Sequence, residues 1–376
     1  MAKRQSTMEN LVGYKLFKNI YYGKRVLITG HTGFKGSWLA FWLRLMGAEV
    51  IGYSLESPTQ PNHFSLLNLD IVHLIGDILD EEKLDMAFKT HNPEIVFHLA
   101  AQPLVRESFN NPVLTYKTNI IGTLNVFEAC RKTPSVKVII NVTSDKCYLN
   151  KEWIWGYRES DEMGGYDLYS SSKGCSEILT QSYRNSFFNF QTFQDHGVSL
   201  ASVRAGNVIG GGDWAQDRLI PDIIRAISQN QVVYLRNPKA IRPWQHVLEP
   251  LSGYLLLASE LSSGKNEYAD GWNFGPIAGD AITVEDVVKS IKNNWKDLKY
   301  EIKSIVNQPH EAAQLKLDCS KAESLLLWKQ IWNSKKTFKI TTEWYKKYYL
   351  ENKILTRKNI YNFVNDAIGT NTIWTK

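Results

Sequence analysis

The stretch Arg25-Val26-Leu27-Ile28-Thr29-Gly30-His31-Thr32-Gly33-Phe34-Lys35-Gly36 decides the fold. Its first five residues are mostly apolar and β-rich, and residues 37–43 have the composition of a helix. Without a Cβ, Gly30 can adopt a left-handed turn, Gly33 lets the backbone approach a pyrophosphate, and Gly36 lets helix and strand pack closely. An ordinary strand-to-helix turn is the alternative, but the flanking elements favour a dinucleotide site facing the helix N-terminus.

A second motif, Tyr169-Ser170-Ser171-Ser172-Lys173, lies about 140 residues further along the chain. A tyrosine and a lysine four residues apart lie on the same face of a helix. An ammonium beside a phenol stabilises the phenolate, so we expect the tyrosine pKa to fall from about 10 towards neutrality. Alone, the pair is more typical of a solvated helix. Behind a dinucleotide motif, it predicts a redox enzyme with Tyr169 as its base.

Apolar, β-rich runs alternate with helical stretches through the first half of the chain, at 50–53, 72–75, 95–99, 136–140 and 198–203. This alternation predicts an α/β fold with a doubly wound parallel sheet of the Rossmann type. After about Asn207 the regularity fades. We therefore predict a dinucleotide-binding domain at 20–206, a smaller and mainly substrate-binding lobe at 207–350, and a C-terminal tail at 351–376. Some segments of the smaller lobe are expected to return to the sheet.

Composition excludes several classes of function. The 376 residues carry a net charge of +6 that is spread along the chain, without a long basic tract, so no nucleic-acid partner is expected. No stretch is long and apolar enough to predict a membrane span. The four cysteines form no CxxC pair, and no His/Cys cluster has metal-ligand spacing. We expect reduced thiols, no metal and a cytoplasmic location.

Further motifs connect the chain with a known family. The glycine motif, Gly76-Asp77, His98-Leu99-Ala100-Ala101 and Tyr169-x-x-x-Lys173 together resemble the extended short-chain dehydrogenase/reductases that act on nucleotide sugars. The resemblance runs from about residue 24 to about residue 347. The segments 143–148, 204–214 and 242–247 resemble most closely the CDP-glucose 4,6-dehydratase branch of that family.

This resemblance implies a lyase that uses NAD and regenerates it in every turnover. The enzyme would oxidise carbon 4 of the sugar, eliminate water across carbons 5 and 6, and return the same hydride to carbon 6. The resemblance assigns the base at the 4-hydroxyl to Tyr169 and the cation beside it to Lys173. It assigns the hydroxyl that contacts the substrate oxygen to Ser144, with Thr143 as the alternative.

Elimination needs an acid for the departing hydroxyl and a base for the carbon-5 proton. Asp145 stands at the family's acid position, where burial can keep a carboxyl protonated. Lys146 stands where related dTDP-glucose dehydratases have glutamate. It either takes the carbon-5 proton in its neutral form or stabilises the enolate as a cation. A surface turn is the alternative for both residues.

The resemblance also implies a set of cofactor contacts. They comprise Gly30, Thr32, Gly33, Phe34, Lys35, Gly36, Ser54, Asp77, Ile78, Leu99, Ala100, Ala101, Asn119, Tyr169 and Lys173. Asp77 is expected to contact adenine, or else to cap the following helix. Ser54 stands where many NAD-specific relatives have an aspartate on the ribose diol, and no arginine follows closely to hold a 2′-phosphate. We therefore expect NAD, bound with weaker affinity.

The implied substrate contacts are Gln102, Arg106, Asn207, Arg218, Arg242, His246 and Asn273. Arginine's planar fork suits a diphosphate, although Arg218 is almost as well explained as a surface ion-pair residue. Among the tryptophans, Trp214 and Trp244 lie inside motifs and are candidates for lining the substrate pocket.

Three functions remain open at this point: the dehydratase, another nucleotide-sugar enzyme such as an epimerase or a dehydratase for a different nucleotide, and a non-catalytic dinucleotide-sensing module. The triplet at 144–146 disfavours an epimerase, which needs no elimination pair. The presence of Tyr169 and Lys173 disfavours the sensing module. By analogy with the family we expect a homo-oligomer, either a dimer or a tetramer.

Overall fold

The structure is a computed structural model that describes residues 11–235, 237–277, 279–280, 282–303 and 315–376. The strands are β1 (Arg25–Thr29), β2 (Glu49–Ser54), β3 (Val72–Ile75), β4 (Ile95–His98), β5 (Val138–Val142), β6 (Ser199–Ala205), β7 (Val208–Ile209), β8 (Val232–Leu235), β9 (Ile241–Arg242), β10 (Gln245–His246), β11 (Gly271–Phe274), β12 (Ile282–Thr283) and β13 (Lys299–Ile302).

The α-helices are α1 (Phe34–Leu45), α2 (His63–Leu67), α3 (Glu81–His91), α4 (Val105–Asn110), α5 (Pro112–Tyr116), α6 (Gly122–Arg131), α7 (Leu168–Ser186), α8 (Phe193–His196), α9 (Leu219–Ser228), α10 (Leu248–Ser262), α11 (Val284–Asn294), α12 (Ser320–Leu325), α13 (Ser334–Glu351) and α14 (Thr356–Gly369). A π-helical turn at Lys117–Ile121 joins α5 to α6, and a 3-10 turn at Asp145–Cys147 follows β5. Within the described ranges, no helix combines the length and the apolar composition needed to cross a membrane.

Seven strands form one parallel sheet in the order β11-β6-β5-β4-β1-β2-β3. The chain moves outward from β1 to β3 and then crosses to β4 on the other side of β1. Ligands bind at such a reversal of strand order, outside the carboxyl ends of the strands. The predicted doubly wound α/β fold is confirmed, and it places the end of β1, which carries Gly30, at this crevice.

Each face of the sheet is covered by its own apolar cluster. One cluster joins α1, α10 and α14 to the sheet, and the other joins α3, α6 and α7. A third cluster forms the smaller lobe from α9, β8, α11 and α13. Strand β11 and helix α10 return to the sheet from beyond residue 207, as the sequence analysis allowed.

The predicted tail at 351–376 is wrong, because this segment folds as α14 and a 3-10 turn at Ile373–Thr375. Phe363 of α14 is fully buried and packs edge-on against Trp42 of α1, with ring centroids 5.8 Å apart. Trp374 stacks on Phe17, with centroids 5.0 Å apart. The segment therefore completes the core on the outer face of the glycine-loop helix.

Candidate active site

The glycines of the first loop are held where no side chain fits. Gly30 has a φ of +77°, and a Cβ placed on it would lie 2.8 Å from the backbone nitrogen of Ala100. A Cβ on Gly36 would lie 2.2 Å from the carbonyl oxygen of Gly30. Gly33 is the extended N-cap residue of α1. The loop is thus a tight backbone cradle at the N-terminus of a helix, which fits the diphosphate of a dinucleotide.

The neighbouring strand ends complete this cradle. Thr32 and Ser54 share a hydrogen bond of 2.8 Å between their hydroxyls at the end of β2. The backbone nitrogens of Leu99 and Ala100 both donate to Oγ1 of Thr29 at 3.2 Å. These contacts join the ends of β1, β2 and β4, where the sequence analysis placed the cofactor. Ala101 follows directly in the same partly exposed loop.

The N-cap of α3, the helix after β3, is Asp80 and not Asp77. Asp77 Oδ1 accepts from the backbone of Leu79 at 3.0 Å, whereas Asp80 caps α3 by accepting from Lys83 at 3.0 Å. The N-cap alternative is therefore wrong, and the half-buried Asp77 carboxylate stays at the end of β3. Ile78 is 3% exposed and belongs to the apolar cluster beneath the site.

Asn119 lies in the π-helical turn and holds the loop after β4 in place. Its Oδ1 accepts from the backbone nitrogen of Gln102 at 2.8 Å, and its Nδ2 donates to Oγ of Ser172 at 2.8 Å. The side chain of Gln102 folds back on its own loop, accepting from Leu104 and donating to Thr115. Both predicted contact residues therefore connect this loop to α5, the π-helical turn and α7.

Tyr169 and Lys173 lie one turn apart on α7 and are 8% and 6% exposed. The predicted fall in the tyrosine pKa is wrong for the protein alone: burial raises the pKa of Tyr169 to about 12, although a hydrogen bond with Ser144 opposes that shift. Burial also lowers the pKa of Lys173 to about 8. Tyr169 therefore keeps its proton at neutral pH unless further positive charge enters the site.

Glu177 lies one turn beyond Lys173 and was missed by the sequence analysis. It is 4% exposed and accepts hydrogen bonds from Thr143, from Ser202 at 2.7 Å and from two nitrogens of Arg204. Burial raises its pKa, but Arg204 and these donors more than reverse that effect, so the pKa ends below its usual value. Thr143 is therefore engaged beneath the site. The spacing of four from Lys173 was the only sequence signal for Glu177.

Asp145 and Lys146 form the 3-10 turn that follows β5. Asp145 is 6% exposed, accepts from Oγ of Ser144 at 3.0 Å, and has a pKa raised by burial, as a proton donor requires. A Cβ on Gly206 would lie 3.0 Å from Oδ2 of Asp145, so this glycine makes room for the carboxyl. Lys146 is partly exposed beside it.

Lys35 approaches the same carboxyl from the glycine loop. Burial lowers the pKa of Lys35 to about 8; the charges of Arg218 and Lys173 lower it as well, while that of Asp145 raises it. Lys35, which was predicted to contact the cofactor, therefore also faces the residues proposed for catalysis. Its position in the glycine motif did not indicate this second role.

The predicted arginines occupy different surroundings. Arg218 pairs with Asp213 at 2.9 Å, and its charge acts on Tyr169, so it reaches the site. Arg106 of α4 is exposed and pairs with Asp217, which lies in the loop that contains Asp213. Arg242 lies in β9, opposite β12. Asn207, after β6, is partly exposed, and its carbonyl accepts from the backbone of the residue that begins β10.

The other two predicted substrate contacts are turned into the protein. His246 is fully buried between Trp38 and Trp332, with ring centroids at 5.6 and 4.9 Å. The prediction of a substrate contact is wrong for this residue, because its ring lies beneath the site among aromatic side chains.

Asn273 of β11 is also fully buried. Its Nδ2 donates to the carbonyls of Tyr157 and Asp318 at 2.8 and 3.1 Å, and its Oδ1 accepts from the hydroxyl of Tyr148 at 2.8 Å. Because these bonds satisfy the amide, the predicted contact with substrate is wrong for this residue as well.

The two candidate pocket tryptophans are core residues. Trp214 packs against Trp344 and Tyr348 of α13, and Trp244 packs edge-on against Phe338 of the same helix. Among the described residues, no group of three or more histidine, cysteine, aspartate or glutamate side chains could hold a metal ion.

Comparison with known proteins identifies the family. The family model described as GDP-mannose 4,6 dehydratase matches residues 27–341. The chain belongs to this family. One relative is the CDP-glucose 4,6-dehydratase of Salmonella typhimurium. Its sequence is 54% identical to this chain, over 88% of this chain and 92% of its own length. The dTDP-D-glucose 4,6-dehydratase of Dictyostelium discoideum is 27% identical over 73% of this chain and 63% of its own.

Solved structures with low sequence identity to this chain have the same fold. The UDP-glucose 4-epimerase of Thermotoga maritima, solved with UDP-glucose, aligns with a TM-score of 0.73 and 23% identity, covering 86% of this chain and 99% of its own. The dTDP-glucose 4,6-dehydratase of Bacillus anthracis, solved with NAD, aligns with a TM-score of 0.69 and 20% identity, covering 86% and 97%.

Proposed function

We propose that this protein is a CDP-glucose 4,6-dehydratase, a lyase that forms CDP-4-dehydro-6-deoxy-D-glucose. The single observation that carries the proposal within this fold is the buried Asp145 carboxyl. Burial raises its pKa, and both Asp145 and Tyr169 hydrogen-bond with Ser144, so the two groups lie close together. An oxidation base beside a carboxyl whose pKa is raised is what dehydration of a 4-keto sugar needs. The relative that is 54% identical supports the choice of nucleotide.

The protein's own residues divide the proton transfers between them. Tyr169 accepts the proton of the 4-hydroxyl, with Ser144 oriented towards it by their hydrogen bond. Once carbon 4 is a ketone, the carbon-5 proton is acidic and passes to Lys146, while Asp145 protonates the departing 6-hydroxyl as water. At the end Lys146 returns a proton to carbon 5, and carbon 4 remains a ketone. The proton that Tyr169 took from the 4-hydroxyl balances the one that Asp145 lost to water, and exchange with solvent restores both groups.

The glycine cradle, Ser54 and the ends of β3 and β4 would hold NAD, and Lys173 would bind its ribose. NAD held there would supply the hydride transfer between carbons 4 and 6 and would bring positive charge into the site. The cradle fits this group because the turn is so tight that a Cβ at Gly30 or Gly36 would collide with neighbouring backbone, as in a diphosphate-binding loop at a helix N-terminus. Arg218, which pairs with Asp213, would hold the substrate diphosphate.

The experiment is a panel of CDP-, dTDP-, UDP- and GDP-glucose incubated with the protein and catalytic NAD. We expect a 4-keto-6-deoxy product from CDP-glucose without net accumulation of NADH. Stoichiometric NADH would identify a dehydrogenase, a carbon-4 epimer would identify an epimerase, and NAD binding without turnover of any sugar would identify a sensing module. Preference for another nucleotide would refute the assignment of CDP.

We also propose that the protein acts as a homo-oligomer. Exposed apolar side chains lie on α5, the π-helical turn and α7, which pack on one another: Val113, Ile121 and Ile178 are 67%, 45% and 57% exposed. Exposed apolar side chains on elements that pack together favour association. Light scattering should show an oligomer that Ile178→Arg dissociates, whereas the control Met86→Arg, at an exposed position of α3, should not. A monomeric wild type would refute the proposal.

A cytoplasmic location is proposed from the state of the thiols. Cys130, Cys147, Cys175 and Cys319 are all free, and three of them are buried. A protein with four unpaired cysteines suits a reducing compartment. Fractionation of the native host, with a thiol-labelling assay, would test this location.

A further inference from the structure

His63 lies at the centre of a buried chain of hydrogen bonds that joins α1 to α14. Its Nδ1 lies 2.7 Å from Oγ of Ser37, and its Nε2 lies 2.7 Å from Oγ1 of Thr356. At one end, Ser37 donates to the carbonyl of Phe34 at 2.9 Å. At the other end, the indole of Trp344 donates to Thr356 at 3.0 Å. This series of hydrogen bonds thus ends on the first turn of the glycine-loop helix α1.

The donors and acceptors in this series of hydrogen bonds can be assigned in one consistent way. Burial lowers the pKa of His63 to about 3, so the imidazole is neutral and has a single N–H. Since Ser37 donates to Phe34, its oxygen accepts from Nδ1–H of His63. Nε2 then accepts from the hydroxyl of Thr356, whose oxygen accepts from Trp344. The opposite order would break the bond that restrains Phe34, so we assign the Nδ1–H tautomer.

Packing holds the imidazole in this position. Its ring stacks on Trp38 of α1, with centroids 5.0 Å apart and planes at 25°. Gly212 also comes close to the ring: its φ is +88°, and a Cβ there would lie 2.5 Å from the ring. Trp38 also donates to the carbonyl of Gly211 at 3.0 Å. The ring is therefore wedged between the glycine-loop helix and the loop that leads to Arg218.

We propose that His63 is a positioning residue for the dinucleotide site, holding the first turn of α1 against α14. The inference rests on the proposed use of NAD. Phe34 follows Gly33 directly, and the N–H groups of this turn would face the diphosphate, so a small displacement of the turn misaligns them. Helix α14 lies beyond residue 341, where the family match ends.

The test compares NAD affinity, measured by calorimetry on the full chain, in variants of the hydrogen-bond chain. His63→Phe keeps an aromatic ring against Trp38 and removes both hydrogen bonds, and Thr356→Val keeps the shape of that residue. We expect each to raise the Kd for NAD about tenfold, the equivalent of about 1.4 kcal/mol. The KM for NAD should rise in parallel, while kcat at saturating NAD changes far less. His63→Gln, which offers one donor and one acceptor, should restore most of the affinity.

Phe363→Leu is the matched control, because Phe363 packs α14 against α1 outside this chain of hydrogen bonds. It should lower Tm and leave the Kd for NAD unchanged. An unchanged Kd in His63→Phe and Thr356→Val would overturn the inference, and so would an equal rise in Phe363→Leu. If His63→Phe does not fold, Thr356→Val decides. Failure of the wild type to bind NAD would overturn the proposed function and this inference together.

Discussion

Arg204 and Glu177 form a two-pronged ion pair beneath the proposed active site, with Nε–Oε1 and Nη2–Oε2 distances of 2.9 and 2.7 Å. Their side chains are 5% and 4% exposed. Burial lowers the pKa of Lys173 to about 8, and the charge of Glu177 opposes that shift. The ion pair thus fixes the catalytic helix α7 to β6 and helps Lys173 to keep its proton.

Replacing Glu177 should change the pH dependence of activity. Glu177→Gln removes the charge that raises the pKa of Lys173, so Lys173 loses its proton at lower pH. The alkaline limb of the kcat/KM profile should therefore move to lower pH. The variant should also lose about 3–5 kcal/mol of stability, because Arg204 is left buried and unpaired.

The double variant Glu177→Gln with Arg204→Met separates charge from packing. It removes the unpaired cation, so Tm should recover in part while the alkaline limb stays shifted. The pH profile and a thermal melt of each variant are the measurements. If the double variant regains the wild-type profile, Glu177 acts only through the fold.

Tyr169→Phe should abolish oxidation of carbon 4, because no phenol remains to accept the hydroxyl proton. Nucleotide binding should stay nearly intact, since the ring is retained. Single-turnover absorbance of the nicotinamide at saturating CDP-glucose measures the step. Appreciable reduction of the cofactor in this variant would remove Tyr169 from the role of base.

Lys146→Ala should affect a later step. The variant should still oxidise carbon 4 and then stall as a bound ketone, because the carbon-5 proton has no acceptor. Loss of one positioned proton-transfer group typically costs about 10²–10⁴ in rate. Single-turnover absorbance together with solvent deuterium incorporation at carbon 5 would detect the stall. Turnover at the wild-type rate would return Lys146 to the status of a surface residue.

Ser54→Asp should tighten NAD binding. The hydroxyl of Ser54 is engaged with Thr32, and a carboxylate there would accept from the ribose diol. A charge-assisted hydrogen bond contributes about 1.5–3 kcal/mol. Added NAD should raise the activity of isolated wild type more than that of the variant. Ser54→Asn is the uncharged control, and equal Kd values for all three proteins would contradict the interpretation of this position.

The parts of the site that could be predicted from the sequence are those fixed by local geometry. The stretch 72–75 is a strand as predicted. The glycines of the first loop lie where a side chain would not fit. Likewise, the spacing of four placed Tyr169 and Lys173 on one face of α7. Strand pattern, turn type and helical spacing depend mainly on neighbours within a few residues, which the sequence displays directly.

Features that depend on distant partners could not be predicted. Asn273 looked like a substrate contact, but Tyr148, far away in sequence, occupies its amide. The predicted pKa of Tyr169 accounted for the nearby lysine and not for burial, which is the largest effect on this phenol. For α14 a signal was present: Ile360, Phe363, Val364 and Ala367 have helical spacing, although charged and polar neighbours obscured it.

The stack of Trp374 on Phe17 constrains how the chain is made. Phe17 is synthesised before the whole sheet, and Trp374 after all of it, yet both pack on Trp42 of α1. During translation this apolar face must stay uncovered, a state that invites aggregation, until residue 374 has left the ribosome. A nascent chain released before that point would have an intact glycine motif and an unfinished core, so quality control of truncated products would act on that exposed face.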